Sequence, residues 1–191
     1  MAKILALSGS LRGDSFNRKL VAAAAAGARA AGAAVTEVDI REFPLPLYDG
    51  DLEARDGLPE HALRLKRLFA EHEGLLIASP EYNGSISGAL KNLIDWMSRP
   101  ASKGEKPLAS FDGKVAAIMA ASPGGLGGLR GLVHVRAILS GIRVLVLPAQ
   151  VAVPSAHDAF DANGMLSDER RRASVESLGA AVATMCVKLA Q

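Results

Sequence analysis

The sequence predicts an α/β fold, a doubly wound parallel sheet of five strands with helices on both faces. Most of the five apolar runs along the chain are continuously apolar rather than alternating, which is typical of parallel strands covered on both sides. Helical patterns fall between these runs, so that strand and helix alternate from one end to the other. No internal repeat or linker interrupts the alternation, and 191 residues can bury a core of their own. We therefore expect a single domain over residues 1–191.

The apolar runs place the strands at 3–8, 34–40, 74–79, 114–121 and 142–148. Helices are predicted at about 16–31, 60–72, 87–98, 127–140 and 167–190. The first helix is rich in alanine, and we expect it to lie close against the sheet. Cys186 falls within the last helical pattern, and we expect it to be a buried small hydrophobic residue.

Composition excludes several classes of protein. One cysteine cannot form an internal disulfide, and the four histidines share no metal-ligand spacing, so no metal site is expected. The first apolar run is too short for a signal peptide or a membrane span, which favours a cytoplasmic protein without a membrane partner. A net charge of +2 without a basic block favours small anionic ligands over nucleic acid.

Three unusual segments follow predicted strands. "SGSLRGDSFN" (8–17) follows the first strand, "SPEYNGSISG" (79–88) the third, and "SPGGLGG" (122–128) the fourth. Ligands bind to open α/β sheets at the carboxyl ends of the strands, beside the point where the strand order reverses. With the order 2-1-3-4-5 these three loops meet at that point, so we expect a ligand site there.

The first of these loops is suited to a phosphate. Ser15 can cap the helix that begins at Phe16, but a cap does not need Ser10, Arg12 and Asn17 as well. Helix-end N–H groups and a forked guanidinium are the donors that a phosphate dianion prefers. Neither GxxxxGK[ST] nor GxGxxG is present, so the triphosphatase and dinucleotide loops are excluded, and Asp39 is interpreted as a strand-end residue.

The other two loops are suited to a planar ligand. Tyr82 stands among polar groups, with Pro80 and Glu81 before it and Asn83 and Gly84 after it, although a turn alone would explain the last two. "SPGGLGG" holds four glycines, which allow backbone to approach a ligand closely. A flexible turn before a helix is the alternative interpretation of these glycines.

The three motifs GSxRxxSxN, PEYNxSxxGxLKNxIDW and SPGGxGG resemble the NADPH-dependent FMN reductases, a family of flavodoxin-like fold that includes bacterial quinone and chromate reductases. The resemblance extends over nearly the whole chain. It implies FMN as the cofactor, with NADPH or NADH as the electron donor. The residues that it assigns to FMN are Ser10, Arg12, Ser15, Phe16 and Asn17 at the phosphate end, Pro80, Glu81, Tyr82, Asn83 and Gly84 along the isoalloxazine, and Ser122, Gly124 and Gly125 over the other part. Asp14 departs from a phosphate-binding pattern, and we expect its side chain to turn to solvent.

The same resemblance implies a reaction and an assembly. Hydride from the nicotinamide goes to flavin N5, and the reduced flavin passes electrons to a quinone, chromate or free flavin. No catalytic side chain is assigned. Members are dimers or tetramers with the flavin near a subunit boundary, so a homodimer or homotetramer is expected.

Two alternatives stay open from the residues alone. A flavodoxin-type electron carrier would have a shorter first loop without arginine and a strongly acidic surface, and Arg12 and the +2 charge oppose it. A flavin-binding sensor without significant turnover would share the same loops. Turnover with NADPH and a quinone separates both from an enzyme.

Overall fold

The computed structural model describes all of residues 1–191 and contains a five-stranded parallel sheet. The strands of the chain are β1 (Lys3–Ser8), β2 (Ala34–Val38), β3 (Gly74–Ala78), β4 (Glu81–Tyr82), β5 (Ser85–Ile86), β6 (Val115–Ala121) and β7 (Leu145–Val153). The sheet order is β2-β1-β3-β6-β7, and β4 and β5 form a separate antiparallel hairpin. Counted among the sheet strands alone, this is the predicted order 2-1-3-4-5.

Helices cover the sheet. They are α1 (Phe16–Ala30), α2 (Gly50–Asp56), α3 (Glu60–Ala70), α4 (Gly88–Met97), α5 (Leu129–Gly141), α6 (Ala156–Ala159) and α7 (Glu169–Leu189), with a 3-10 helix at Ile40–Glu42. Alternate residues of β1 belong to two separate cores. Ile4 and Ala6 pack with α1 and α7, whereas Leu5 and Leu7 pack with α3, α4 and α5. The continuous apolar runs thus reflect strands buried on both faces.

The sheet places β1, β3 and β6 side by side at its centre. These strands are the three that the unusual segments follow. Because the strands are parallel, their carboxyl ends lie at one edge, and the segments begin there.

Two strands, β2 and β7, differ from the predicted bounds by more than one residue. β2 ends at Val38 rather than at 40, because the Asp39 side chain caps the 3-10 helix by accepting from the Arg41 N–H. β7 runs over Leu145–Val153 rather than 142–148. It pairs only with β6, and an edge strand tolerates Pro148, which lacks the N–H donor of an interior strand. The chain therefore leaves the sheet beside Ser122, whose N–H donates to the Val153 carbonyl at 3.1 Å.

Helices α1 and α7 cross in close contact, which was not predicted from the sequence. A Cβ at Gly27 would lie 2.0 Å from the Glu176 carbonyl oxygen, and one at Gly179 would lie 1.8 Å from the Ala24 carbonyl oxygen. Both glycines therefore let backbone touch backbone. Cys186 of α7 is buried, as predicted, and burial raises the pKa of its thiol to about 11.

None of the helices combines the length and the apolar character that a membrane span requires.

We predict that Gly179→Ala lowers the free energy of unfolding by about 1–3 kcal/mol, because overpacking at the crossing outweighs the helix propensity gained by alanine. Urea unfolding monitored by circular dichroism measures the change. Gly141→Ala, at the end of α5, is the matched control, since its Cβ meets nothing within 4 Å. Equal stabilities of the Gly179 variant and the parent would show that the two helices can separate at no cost.

Candidate functional site

A cleft at the carboxyl edge of the sheet brings the three unusual segments together. Its lining comes from loop 1 (residues 9–15) and the start of α1, from the segment after β3, and from the segment after β6. The lining residues are Ser10, Arg12, Asp14, Ser15, Phe16, Asn17, Pro80, Glu81, Tyr82, Ala121, Ser122 and Pro123. Of the residues assigned to FMN from the sequence, only Asn83, Gly84, Gly124 and Gly125 lie outside this lining.

Loop 1 leaves a run of backbone donors without partners. None of the N–H groups of residues 13–17 has an acceptor within the protein. The Ser15 side chain caps α1 by accepting from the Arg18 N–H at 3.3 Å, and Ser10 Oγ accepts from the Arg12 N–H at 3.3 Å. Consecutive unpaired N–H groups at the start of a helix favour an anion, because they combine with the positive end of the helix dipole.

The charged side chains of loop 1 reinforce this preference. Arg12 is exposed and forms no ion pair or hydrogen bond through its guanidinium, so its charge is available to a ligand. Asp14 points to solvent, 78% exposed, and pairs with Lys19 Nζ at 2.6 Å. That hydrogen bond and the Lys19 charge lower the pKa of Asp14. The prediction that Asp14 turns outward is confirmed.

Asn17 departs from the role expected of it. Its side-chain amide donates to the Ala121 carbonyl and accepts from the Ala121 N–H, both at 2.9 Å, in a buried position. The side chain therefore joins the start of α1 to the end of β6 instead of reaching a phosphate. Only the backbone N–H of Asn17 stays unpaired, and this is the group it can offer to an anion.

The segment after β3 folds into the hairpin β4–β5. Asn83 and Gly84 form its two-residue turn with φ angles of 52° and 78°, both in the left-handed region, as in a type I′ turn. The turn alone explains these two residue types, and neither reaches the cleft. Tyr82 precedes the turn and is 49% exposed at the rim of the cleft, where its ring is available to a planar ligand.

Glu81 does not offer its carboxylate to the cleft. The side chain is 8% exposed, pairs with Arg130 at 2.6 Å, and accepts from the Gly131 N–H at 3.0 Å. Burial raises the pKa of Glu81, but the Gly131 N–H and the Arg130 guanidinium outweigh burial, so the pKa lies below its ordinary value. Glu81 thus fastens the hairpin to α5 as an ionised carboxylate.

The glycines after β6 divide into two pairs. Gly127 and Gly128 have φ angles of 62° and 90°, and a Cβ would lie 2.6 Å from Pro154 N and 2.7 Å from the Ala120 Cβ respectively. The fold itself requires glycine at both positions. Gly124 and Gly125 have no positive φ, and a Cβ there meets nothing closer than Ser122 Oγ at 3.7 Å. No contact within the chain explains these two.

Two further sets of hydrogen bonds between segments of the chain were not predicted from the sequence. Ser87 caps α4, and its hydroxyl donates to the Gly9 carbonyl at 2.5 Å, which links loop 1 to the hairpin segment. A serine directly before a helix could have been recognised as a cap, although its second partner could not. Asn92 and Trp96 of α4 both donate to the Pro46 carbonyl, at 2.9 and 2.8 Å, and hold the loop that follows the 3-10 helix.

That loop forms one wall of an apolar groove of about 500 Å³ beside the cleft. The start of α4 also lines the groove, as does Leu11 of loop 1, whereas the neighbouring Ser10 and Arg12 line the cleft. Leu11 and Leu47 are 57% and 81% exposed. Loop 1 therefore has a polar side, which faces the cleft, and an apolar side.

Residues 2–158 match the model of a family described as NADPH-dependent FMN reductase. The chain belongs to this family. It is 39% identical to an NAD(P)H-dependent FMN reductase of Pseudomonas aeruginosa over 175 residues, which cover 91% of this chain and 89% of the relative. It is 38% identical to a 2-hydroxy-1,4-benzoquinone reductase of a Burkholderia species, with 89% and 88% of the two chains covered.

The fold of this FMN reductase family member agrees with a solved relative. The flavoenzyme NAD(P)H:(acceptor) oxidoreductase of Paracoccus denitrificans superposes with a TM-score of 0.82 at 29% identity, over 98% of each chain. The predicted family and the flavodoxin-like α/β fold with a parallel five-stranded sheet are thereby confirmed. Members of the family use FMN with NAD(P)H as the electron donor.

The donor set of this reductase fits such a cofactor at its anionic end. A phosphate monoester needs several N–H donors and a cation, and loop 1 presents unpaired N–H groups together with the unpaired Arg12. No carboxylate opposes the anion there, since Asp14 pairs with Lys19 and Glu81 with Arg130.

We predict that Gly124→Val and Gly125→Val leave the melting temperature within a few degrees of the parent but sharply reduce FMN occupancy or NAD(P)H oxidation. The reason is that the side chain has room within the protein and would obstruct only a ligand. Flavin absorbance and thermal melts of the same preparations measure both effects. Gly127→Val is the control, because its positive φ and its backbone clash should destabilise the fold itself. Normal occupancy and turnover in the first two variants would place this loop outside the site.

Proposed function

We propose that this chain is an NAD(P)H-dependent FMN reductase whose electron acceptors are quinones. The observation that carries the proposal is the run of unpaired N–H groups at residues 13–17 beside the unpaired Arg12, in a cleft built by three strand-end loops. The names of its relatives, an FMN reductase and a 2-hydroxy-1,4-benzoquinone reductase, support the choice of acceptor. Chromate and free flavin are the further acceptors that the resemblance to the family implies.

In this proposal the FMN phosphate binds to loop 1. Arg12 supplies the positive charge, the backbone N–H groups up to Asn17 supply hydrogen bonds, and the Ser10 and Ser15 hydroxyls line the same cleft. Phe16 packs its ring against Phe160, with centroids 5.8 Å apart, and so closes the end of the cleft. Loop 1 thus surrounds the anion with hydrogen-bond donors and places no negatively charged group against it.

The isoalloxazine binds along the segment after β3. Pro80, Glu81 and Tyr82 present backbone and the exposed Tyr82 ring on one side, and Ser122 lies on the other. Gly124 and Gly125 follow Ser122 and border the cleft from outside its lining. When bound, FMN supplies the chemistry of hydride acceptance and electron release, while the protein supplies orientation. Asn83 and Gly84 act through the turn that presents Tyr82.

Neither carboxyl group of the cleft is suited to donate a proton to the acceptor. Lys19 keeps the pKa of Asp14 low, and Arg130 with the Gly131 N–H does the same for Glu81 against the effect of burial. Both are ionised at neutral pH. We therefore assign no acid residue, and the open cleft lets solvent supply the protons for quinone reduction.

The apolar groove supports the proposal of a homodimer or homotetramer. Exposed leucines beside a cofactor cleft are suited to burial by a second subunit. We also propose that residues 1–191 form one domain, because α7 lies beyond the matched part of the family and still packs on α1 through Gly27 and Gly179.

The proposal is tested with the purified chain. We expect the flavin absorbance of bound FMN, or its appearance on adding FMN, and oxidation of NADPH or NADH that depends on 1,4-benzoquinone. One flavin face serves both substrates in this arrangement, so steady-state plots should give parallel lines. Flavin binding without quinone-dependent oxidation would favour a carrier or sensor, and absence of flavin binding would overturn the proposal.

We predict that Arg12→Ala weakens FMN binding by about 1.5–3 kcal/mol, because a charge-assisted contact to the phosphate is lost. Fluorescence titration with FMN and with riboflavin measures the effect. Riboflavin, which lacks the phosphate, should bind to both proteins equally. Arg29→Ala, at the far end of α1, is the matched control for loss of one positive charge. Equal FMN affinities of the Arg12 variant and the parent would show that the phosphate does not bind to loop 1.

A further inference from the structure

Arg18 lies behind loop 1, on the first turn of α1. Its Nη2 donates to the Arg12 carbonyl at 3.0 Å and also to the Gly13 carbonyl, and its Nη1 donates to Asp39 Oδ2 at 2.6 Å. Arg18 does not line the cleft, whereas Arg12 and Asp14 on either side of Gly13 do. The guanidinium therefore contacts the loop from outside the cleft that the proposed ligand would occupy.

The planarity of the peptide bond converts these contacts into an orientation. In a trans peptide the carbonyl and the following N–H point in opposite directions. Holding the carbonyls of Arg12 and Gly13 at Arg18 turns the N–H groups of Gly13 and Asp14 away from the guanidinium. These N–H groups are two of the unpaired donors of loop 1.

Asp39 fixes the position of this guanidinium. It stands at the end of β2, where it caps the 3-10 helix, and its carboxylate also binds Arg41 through Nε at 3.0 Å and Nη2 at 2.5 Å. The hydrogen bonds from Arg41, helped by the charge of Arg18, lower the pKa of Asp39 to about 2. The side chains of Arg18, Asp39 and Arg41 thus lie behind loop 1 and together carry a net charge of +1. Because the two guanidinium groups offset the Asp39 carboxylate, the cluster does not repel an anion.

We propose that Arg18, anchored by Asp39, is a positioning residue for the phosphate loop and sets the preference of the protein for FMN over riboflavin. The inference rests on the proposed function. Neither side chain touches the cofactor. They act through the carbonyls of Arg12 and Gly13, which they keep away from the phosphate while presenting the N–H groups.

Arg18→Lys is the first test, because lysine keeps the charge but cannot reach two carbonyls and a carboxylate with one forked group. We expect the dissociation constant for FMN to rise by about tenfold, in line with the loss of hydrogen bonds to a charged group. Riboflavin affinity, measured by the same fluorescence titration of the flavin-free chain, should stay within about twofold, since riboflavin does not use these donors.

Asp39→Asn is the second test, and it separates positioning from general electrostatics. The variant makes the surroundings of the loop more positive, so long-range attraction alone would tighten FMN binding. Loss of the anchor predicts the opposite, a weaker binding of FMN with riboflavin unchanged. Glu37→Gln is the matched control, because it removes another carboxylate of β2 that joins α1 through Arg29 at 2.9 Å, away from loop 1.

Each outcome has a definite meaning. FMN binding by Arg18→Lys and Asp39→Asn at the affinity of the parent would overturn the inference, as would an equal loss for FMN and riboflavin. A parent protein without any preference for FMN would overturn the proposed function instead. If Asp39→Asn melts far below the parent, the inference is decided by the ratio of FMN to riboflavin affinity in Arg18→Lys, since that variant retains the charge of the cluster.

Discussion

The structure depends on an asymmetry in loop 1 between the carbonyls of Gly9, Arg12, Gly13 and Ser15, which protein donors occupy, and the N–H groups of residues 13–17, which have no acceptor in the protein. Ser87 donates to the Gly9 carbonyl, and Arg18 donates to those of Arg12 and Gly13. The N–H groups of Arg18 and Lys19 donate to the Ser15 carbonyl. The N–H groups of residues 13–17 have no such partner. Backbone groups without partners in a folded protein are costly unless water or a ligand satisfies them. The loop is therefore a donor surface whose geometry is maintained from behind.

Several polar side chains of the three motifs maintain this geometry by joining one loop to the next. Asn17 connects α1 to β6, Ser87 connects α4 to loop 1, and Glu81 connects the hairpin to α5. Asn92 and Trp96 hold the loop beside the apolar groove. The polar residues of these segments are thus explained by contacts that stabilise the fold as much as by contacts with a ligand. Backbone, which carries no sequence signature, provides many of the contacts that a ligand would use.

The central part of the fold could be predicted because strands that are buried on both faces appear in the sequence as continuous apolar runs. Strands β1, β3 and β6 are covered on both faces, and their boundaries agree with the apolar runs to within a residue or so. β7 was misplaced because an edge strand is half exposed and tolerates Pro148. The place of the site followed from topology, since parallel strands end at one edge. The partners of Asn17 and Arg18 could not be found, because Ala121 and Asp39 are distant in sequence and no local pattern marks the contact.

The contact of α1 with α7 has a consequence for the mechanics of the site. Gly27 and Gly179 bring the two backbones together near the far end of the helix whose first turn supplies donors to the cleft. A helix is stiff along its axis. The close contact with α7 therefore resists movement of the whole of α1 along that axis. The start of α1, whose first N–H groups are unpaired, is thus held from about 15 Å away, at about 1.5 Å of rise per residue, by the contact with α7. Because Val182, Ala183 and Cys186 follow this crossing and belong to the core, a truncation that removes them would take away core packing together with part of the helix that holds α1.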